Sequence, residues 1–591
     1  MGIFDILLLL LGLALFLYGM EVMGDALKRS AGRRLKTILG SLTSNKYKGF
    51  LLGFGVTAII QSSSATTVMV VGFVNSGTML LSEAIGVIMG ANVGTAVTAW
   101  ITALNGIDSS VGWLNYLKTD FWMPMLALIG ISLILFSKKD RRRDVGSILM
   151  GFAVLMTGMS LMSDSVAGLK SSPEFVSILT LFTNPILGIL AGIILTAIVQ
   201  SSSASVGILQ AISVTGAISY SAAMPIILGQ NIGTCVTAML SSVGANKNGK
   251  RAATVHLLFN VIGAILWLIL YYGIGLVLRL ATSLDIFSLA SSNAIDMWGI
   301  AAVHTAFKIV SVILIFPFSH LLEKLSLLMI KGEDKKGDKY TAMLDERLLA
   351  TPDVAISRCR ELSAHMAERS ISSMKDALTL LCSYDSSKAD SIRVKEGEVD
   401  VYEDALGSYL VKLSSEELLP SDGRELTRIL HAIGDLERIS DHAVNLVESG
   451  EELKDKQISF SEDAKKELAV ITAAVDEILT LTLTAFNTRE IDTAMAVEPL
   501  EQVIDGLNSK IKSRHISRLK SNLCGIEQGF VLADILTNLE RVSDHCSNIA
   551  GLVIDSGKDS PLALHSLLAR VKNGEGDFTK LYEQFTSKYS L

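Results

Sequence analysis

From Ile3 to about Phe318 the chain is a succession of long apolar runs with few charges. From about Gly332 to Leu591 charged residues return among leucines, isoleucines and alanines at helical spacing. An α-helix needs roughly 20 apolar residues to cross about 30 Å of hydrocarbon, whereas apolar positions recurring every three or four residues mark a helix with one buried face. The first pattern predicts membrane helices at Ile3–Met23, about Ser82–Leu104, Phe121–Phe136, about Ala252–Leu280 and Trp298–Phe318. The second predicts a soluble helical bundle. The whole is an all-α, polytopic membrane protein: a transmembrane domain over 1–330, a charged linker over 331–345 that opens "KGEDKKGDK", and a helical domain over 346–591.

Two polar interruptions break the apolar pattern. "TAIIQSSSA" occupies Thr57–Ala65 and "TAIVQSSSA" occupies Thr196–Ala204, an offset of 200 − 61 = 139 residues. The same offset relates "GANVGTAVTA" (Gly90–Ala99) to "GQNIGTCVTA" (Gly229–Ala238). Sliding Gly12–Ile101 onto Gly151–Leu240 without a gap gives 30 identities in 90 positions. Shared apolar composition does not generate an ungapped match centred on polar residues, so the chain contains a duplication, with repeats at about 12–101 and 151–240.

Orientation follows from Lys and Arg, which collect in cytoplasmic loops. Lys28, Arg29, Arg33, Arg34 and Lys36 follow the first helix, and "KKDRRR" (Lys138–Arg143) is the next basic cluster. With a re-entrant hairpin around Gln61 and an outer loop over Asn105–Asp120, the first unit crosses an odd number of times, so the second is expected upside down. Its loops agree: Ser163–Glu174 is poor in basic residues and "KNGKR" (Lys247–Arg251) is rich in them. The chain then returns to the inside at Lys324, which places the C-terminal domain in the cytoplasm and the protein in the cell membrane. Asp5, the missing basic n-region and the lack of a clear cleavage site make Ile3–Met23 a retained helix, not a signal peptide. Inverted repeats with broken helices at their interface are a recurrent architecture of secondary transporters, with substrate and ions near the midplane.

Unpaired polar groups in hydrocarbon cost several kcal/mol each. A continuous helix would splay Gln61, Ser62, Ser63 and Ser64, or Gln200, Ser201, Ser202 and Ser203, around most of its circumference. A hairpin tip avoids this and frees N–H groups at the start of the following half-helix, where an anion can bind. In the second motif Gly90, Gly94, Gly229 and Gly233 permit unwound backbone, Asn92 and Asn231 offer amides, and Thr95 and Thr234 offer hydroxyls. Thr66 and Ser205, just beyond each QSSS run, complete the candidate set. Ser and Thr in membrane helices often only pack helices or bond to their own backbone; the duplication of both motifs favours a binding role. Phe50–Ile101 holds one charged residue, Glu83, and Gly188–Leu240 holds none. A multivalent anion at such a site needs co-bound cations, and neutral hard oxygens suit Na⁺. Proton coupling would more naturally use a carboxylate or His. His256 ("TVHLLFNVIGAIL") and His304 ("AVHTAFKIVSVIL") sit in similar contexts 48 residues apart, each open to a packing or a ligand role.

The net charge of −7 argues against a nucleic-acid partner. The five cysteines form no CxxC or metal-finger spacing, and four lie in the polar half, as expected in a reducing compartment. No GxSxG occurs, and neither motif segment holds a His or Asp to activate a serine, so an enzyme is not expected.

Paired QSSS runs, each followed by GxNxGT, together with "KRAATVHLLFN" (Lys250–Asn260), resemble the type II sodium-phosphate cotransporter family over roughly residues 1–330. The resemblance implies that Gln61–Ser64 and Gln200–Ser203 line phosphate and sodium sites, with Na⁺ as the co-transported ion and inorganic phosphate, sodium and the lipid bilayer as partners. It is compatible with a homodimer. The chain departs from animal members after each QSSS, where Ala65-Thr66-Thr67 and Ala204-Ser205-Val206 stand in place of a Thr-rich continuation. It offers no clear place for the acidic residue that electrogenic members carry.

The polar half also repeats. "DLERISDHAVN" (Asp435–Asn445) returns as "NLERVSDHCSN" (Asn538–Asn548), offset 540 − 437 = 103, which predicts two three-helix units. Glu437/Asp441 and Glu540/Asp544 put carboxylates one turn apart, and Glu396/Asp400 and Glu501/Asp505 can supply matching pairs from neighbouring helices. Arg438 and Arg541 beside them leave a salt-bridged surface as the alternative. This half resembles PhoU-like domains over about Tyr340–Ser587, which implies a regulatory role in phosphate transport and a divalent or iron-type metal at these carboxylates. The expected activity is sodium-coupled phosphate symport with a cytoplasmic regulatory domain; a membrane-tethered phosphate sensor and a phosphate exporter are the alternatives.

Overall fold

The computed structural model describes residues 3–40, 45–107, 119–282, 285–332, 340, 343–416, 418, 420–556 and 578–591. These fold into helices, with no strand among the described residues, and the chain divides into two compact units, Met1–Gly337 and Asp338–Leu591. Most of the expected outer loop (108–118) and much of the linker (333–339, 341–342) lie outside the described residues, as do the side chains of Arg33, Arg34 and Lys36.

The first unit opens with α1 (Ile3–Gly40), longer than its apolar run because the amphipathic "DALKRSAGRRLKTILG" continues the helix. Two short helices follow, α2 (Lys46–Ile60) and α3 (Ser63–Asn75), then α4 (Leu81–Gly94), α5 (Ala96–Ala103) and α6 (Thr119–Phe136). The second copy runs through α7 (Asp140–Ala167), α8 (Pro173–Leu181), α9 (Pro185–Val199), α10 (Ser202–Ser213), α11 (Tyr220–Gly233) and α12 (Cys235–Ser241). Closing the unit are α13 (Lys247–Ala281), α14 (Ile286–Ser292), α15 (Met297–Ile315) and α16 (Ser319–Met329). Among the described residues, six stretches of this unit are each long and apolar enough to cross a membrane: Ile3–Ser30, Leu81–Gly106, Asp140–Ala167, Tyr220–Ser241, Lys247–Ala281 and Met297–Met329. A seventh, Glu462–Thr488, belongs to the second unit. At 15, 13, 15 and 12 residues, α2, α3, α9 and α10 are each too short to span, as half-helices of a hairpin must be.

The duplication reappears in packing. α1 and α7 cross antiparallel on paired glycines: a Cβ at Gly12 would come within 2.8 Å of the Gly158 carbonyl oxygen, and one at Gly19 within 2.6 Å of that of Gly151. These four are repeat equivalents of one another. α2 packs on α4 as α9 packs on α11; a Cβ at Gly90 would sit 1.9 Å from the Phe50 oxygen, and one at Gly229 2.1 Å from the Ile189 oxygen. Asn45 and Asn184 cap α2 and α9 at equivalent positions. The copies also interlock: α3 packs on α12 and α13, and α10 packs on α5 and α15. The large side chains Phe16, Leu155, Met156, Met159 and Ile218 fill the core beneath them.

The second unit is built from α17 (Pro352–Cys382), α18 (Ser386–Ser414) and α19 (Pro420–Asp455), then α20 (Glu462–Thr488), α21 (Ile491–Met495), α22 (Val497–Lys520) and α23 (Ile526–Ser556). α19 and α23 carry the repeated "LERxSDH" and pack against each other. α20 is apolar enough to be mistaken for a span, but Ile471, Val475, Ile478 and Leu479 are buried within the bundle.

Candidate functional site

Gln61 and Gln200 make the elbows between paired half-helices. Gln61 takes the left-handed region (φ 59°, ψ 22°) and its N–H reaches the Thr57 carbonyl at 2.8 Å; Gln200 (φ 56°, ψ 16°) repeats this on Thr196 at 2.7 Å. They are the first unit's positive-φ non-glycine residues among those described. An L-residue pays roughly 1–2 kcal/mol for this conformation, and both copies hold it at the same motif position.

Ser62 and Ser201 then cap α3 and α10, each hydroxyl accepting from the N–H three residues on at 3.2 Å. Thr57 Oγ1 bonds Thr66 Oγ1 at 3.0 Å, and Thr196 Oγ1 bonds Ser205 Oγ at 2.8 Å, so each hairpin is tied across its two arms. Thr66 and Ser205 are therefore buried braces. The hydroxyls of Ser63, Ser64, Ser202 and Ser203 make no hydrogen bond among the described residues, and each pair opens a helix whose first N–H groups have no helical acceptor.

The second motif departs from expectation. The helix is interrupted for a single residue, Thr95 or Thr234, whose φ/ψ stay helical (−63°, −23° and −59°, −26°). Gly90, Gly94, Gly229 and Gly233 serve close helix packing, not unwinding. Both threonine hydroxyls return to their own helix, Thr95 on Ala91 O at 3.2 Å and Thr234 on Gln230 O at 2.9 Å. The two copies also differ. Gln61 is buried, its Oε1 accepting from Thr98 at 2.7 Å, whereas Gln200 is exposed and the equivalent Thr237 turns to Thr234 O. Asn92 Nδ2 donates to Asn260 Oδ1 at 2.8 Å, while Asn231 Nδ2 donates to Ile227 O within its own helix.

Three buried residues missed by the motif reading join the copies. Asn260 on α13 accepts from Asn92 and lies 3.4 Å from Cys235 Sγ, so it touches both motifs. Gln210 on α10 accepts from Thr102 at 2.6 Å and donates to Ala99 O at 3.0 Å and Met297 O at 3.1 Å. Lys308 on α15, 2 % exposed, donates to the Asn92 carbonyl oxygen at 2.6 Å. The motif segments themselves contain no Lys or Arg, but the fold brings one in from outside them. The signal was in the sequence: a lone charge inside the apolar run "AFKIVSVIL". His256 and His304 are buried on the same two helices, at the position four residues before Asn260 and Lys308.

In the second unit, Glu396, Asp400 and Asp441 form one cluster and Glu501, Asp505 and Asp544 another, each offering ligand oxygens within 4.8 Å of one another. Hard carboxylate oxygens at this spacing suit a divalent cation. Burial, then Asp400 and Asp441, raise the Glu396 carboxyl; burial, then Asp441, raises that of Asp400. Glu437 and Glu540 fall outside the two clusters. Glu437 is pushed up to about 7 by burial and then by Asp441 and Asp400. Glu540 is taken by Asn508 and by Lys512 at 3.4 Å. A second element pairs the repeats: His442 Nδ1 meets Asn538 Oδ1 and His545 Nδ1 meets Asp435 Oδ1, both at 2.8 Å.

A duplicated, interlocked set of apolar helices of membrane-crossing length with polar hairpin tips, joined in one chain to a duplicated helical bundle, defines a polytopic membrane protein with a separate helical domain. The Na⁺/Pi-cotransporter family profile matches residues 15–164 and 167–289, and the PhoU domain profile matches 364–450 and 470–553. The chain belongs to the Na⁺/Pi-cotransporter family and carries a PhoU domain. It is 26% identical over 554 residues to "Putative inorganic phosphate export protein YjbB" of Salmonella typhimurium, covering 93% of this chain and 97% of that one. It is 30% identical over 321 residues to the uncharacterized protein YqeW of Bacillus subtilis (54% and 96%). It is 27% identical over 189 residues to sodium-dependent phosphate transport protein 2A of Mus musculus (29% and 26%).

Proposed function

We propose that this protein carries inorganic phosphate across the cell membrane together with sodium, and that its PhoU domain lies in the cytoplasm and regulates the flux. The observation that carries this reading is the pair of strained QSSS elbows, each presenting two unengaged serine hydroxyls at a helix N-terminus in a unit whose buried residues include no carboxylate among those described. Helix N-termini and hydroxyls suit a phosphate oxyanion. No carboxylate is among the buried described residues of this unit and its buried histidines, His256 and His304, lie outside both motifs, so hard oxygens from serines and asparagines favour Na⁺ as the coupled cation. The Mus musculus relative is named a sodium-dependent phosphate transport protein, which supports this coupling. The antiparallel crossing of α1 and α7 on equivalent glycines supports an inverted relation of the repeats, with alternating access by movement of one against the other. The carboxylate clusters of the PhoU domain would hold divalent or iron-type metal ions and bias the transporter by binding its states unequally.

Export is the second reading, favoured because YjbB, named for phosphate export, matches this chain over both units. Radiolabelled phosphate flux in proteoliposomes tests both. Uptake driven by an inward sodium gradient, and abolished when choline replaces Na⁺ at constant pH, supports symport. Full flux on a proton gradient alone defeats it.

A further inference from the structure

We propose that Lys308 is a tethered cation that stands in for one sodium ion at the first GxNxGT motif, so that the two copies of the site differ by one mobile charge. This rests on the sodium-phosphate reading above. The interlocked packing makes α13 and α15 counterparts: α13 lies on α3 and α12, and α15 on α10 and α5. Their sequences align with it, "HLLFN" (His256–Asn260) against "HTAFK" (His304–Lys308). Asn260 on α13 donates to Cys235 Sγ beside the second motif while its oxygen accepts from Asn92 in the first, and Lys308 on α15 donates to the Asn92 carbonyl. Equivalent positions of the two helices thus carry a neutral amide on α13 and a lysine on α15.

The surroundings of Lys308 fit a cation site. Its Nζ sits 2.6 Å from the Asn92 carbonyl oxygen, its one hydrogen-bond partner among the described residues. The Asn92 side-chain oxygen is buried without a partner, and so is the hydroxyl of Ser311 one turn further along α15. Neither of these two oxygens bonds Nζ, so the Asn92 carbonyl is the one hard, neutral oxygen on the ammonium that would otherwise be a ligand for a metal ion such as Na⁺. Among the described residues, those buried in this unit supply no carboxylate to pair the ammonium, and an unpaired buried charge is costly. A phosphate anion in the same site would supply the missing counter-charge. At the second motif, the carbonyl of Asn231 takes only the Cys235 thiol, 3.8 Å away, as a side-chain donor among the described residues, which leaves that copy for a mobile cation.

The test converts Lys308 to the residue its counterpart carries. Phosphate binding to the purified full chain is measured over a range of NaCl, ionic strength held with choline, for wild type, Lys308→Asn and Lys308→Arg. The slope of log Kd for phosphate against log sodium concentration should steepen by about one in Lys308→Asn, because one more Na⁺ is then taken up with each phosphate. Lys308→Arg keeps the charge and should keep the wild-type slope. Lys308→Met serves if the Asn variant is not monodisperse. An unchanged slope in a neutral variant overturns the inference, whether affinity is kept (a packing role) or lost (a phosphate ligand). So does a monodisperse neutral variant that binds no phosphate at saturating sodium. Wild-type binding indifferent to sodium is a different result: it removes the functional reading itself, and this inference with it.

Discussion

Asn92 Nδ2 donates to Asn260 Oδ1 at 2.8 Å across 168 residues of sequence, and both residues are buried. This bond fixes the first GxNxGT motif to α13, which also reaches Cys235 beside the second motif. Replacing Asn92 by Ala leaves the Asn260 oxygen buried and unpaired, at a cost of about 1–3 kcal/mol. The variant should insert, melt at a lower temperature, and lose phosphate flux by about tenfold or more, the equivalent of ~1.4 kcal/mol. Asn231→Ala breaks only a bond within its own helix at Ile227 O, so its stability loss should be smaller. Thermal melts with and without phosphate, alongside flux, separate the two effects; equal and full flux in both variants would remove Asn92 and Asn231 from the site.

Close approach at the duplicated glycines predicts a sharp contrast between neighbouring substitutions. A Cβ at Gly90 would sit 1.9 Å from the Phe50 oxygen, and one at Gly229 2.1 Å from the Ile189 oxygen, both backbone atoms that cannot move aside alone. Gly55 has nothing within 4 Å of its Cβ position. Gly90→Ala and Gly229→Ala should each destabilise by roughly 3 kcal/mol or more, above the usual overpacking range because the obstacle is backbone. Gly55→Ala should be neutral. Monodisperse yield and melting temperature of the three variants decide it; a Gly90→Ala protein as stable as Gly55→Ala would contradict the packing described here.

Much of this arrangement could be read from residue order because the duplication is ungapped. The elbows at Gln61 and Gln200 and the caps at Asn45 and Asn184 recur at the 139-residue offset, so a local motif carried its local conformation. The GxNxGT glycines were misread because glycine has two uses, unwinding and close packing, and only the distance to a neighbouring helix tells them apart. Lys308, Asn260 and Gln210 escaped because they lie outside the duplicated motifs, and their roles depend on which helices the fold brings together. The differing burial of Gln61 and Gln200 was likewise invisible, since both sit in nearly identical sequence. In the second unit the paired carboxylates were legible by spacing. The exclusion of Glu540 was not, because Asn508 and Lys512 reach it from α22.

Glu425 should make the second unit acid-sensitive. Burial alone would raise its carboxyl, but Arg428, Arg489 and Arg360 overcome that and hold it below the usual carboxylate range. Arg428 Nη2 lies 2.9 Å and Arg360 Nε 3.0 Å from the same oxygen, Oε1, which Arg489 also contacts. A carboxyl depressed on folding stabilises the fold above its unfolded value, near 4.3, and the contribution is lost as pH falls through the folded value. Glu425→Gln should therefore cost roughly 2–3 kcal/mol at pH 7, below the range for a fully buried pair because Arg360 and Arg489 are partly exposed. The gap between variant and wild type should close as pH falls below about 4. Chemical denaturation followed by a probe in this unit, run from pH 7 to pH 3, measures it; a pH-independent gap would mean the loss is packing rather than charge.

The carboxylate clusters should hold metal without forming the transport path. Glu396, Asp400 and Asp441 come from α18 and α19, and Glu501, Asp505 and Asp544 from α22 and α23, so each cluster joins two helices of one three-helix unit. Crowded carboxylates repel one another, and a divalent cation relieves that repulsion while supplying the counter-charge. Both unengaged serine pairs, Ser63 with Ser64 and Ser202 with Ser203, belong to the other unit, which buries its own core. Asp400→Asn combined with Asp505→Asn in the full chain should therefore lower bound Mn²⁺, Fe²⁺ or Zn²⁺ after dialysis, measured by elemental analysis, by at least half. Sodium-driven phosphate flux in proteoliposomes should remain measurable, with any metal dependence of its rate reduced. Metal content unchanged by the two substitutions would take these residues out of the ligand set. Loss of all flux from a monodisperse, inserted double variant would place the second unit within the transport machinery instead of in control of it.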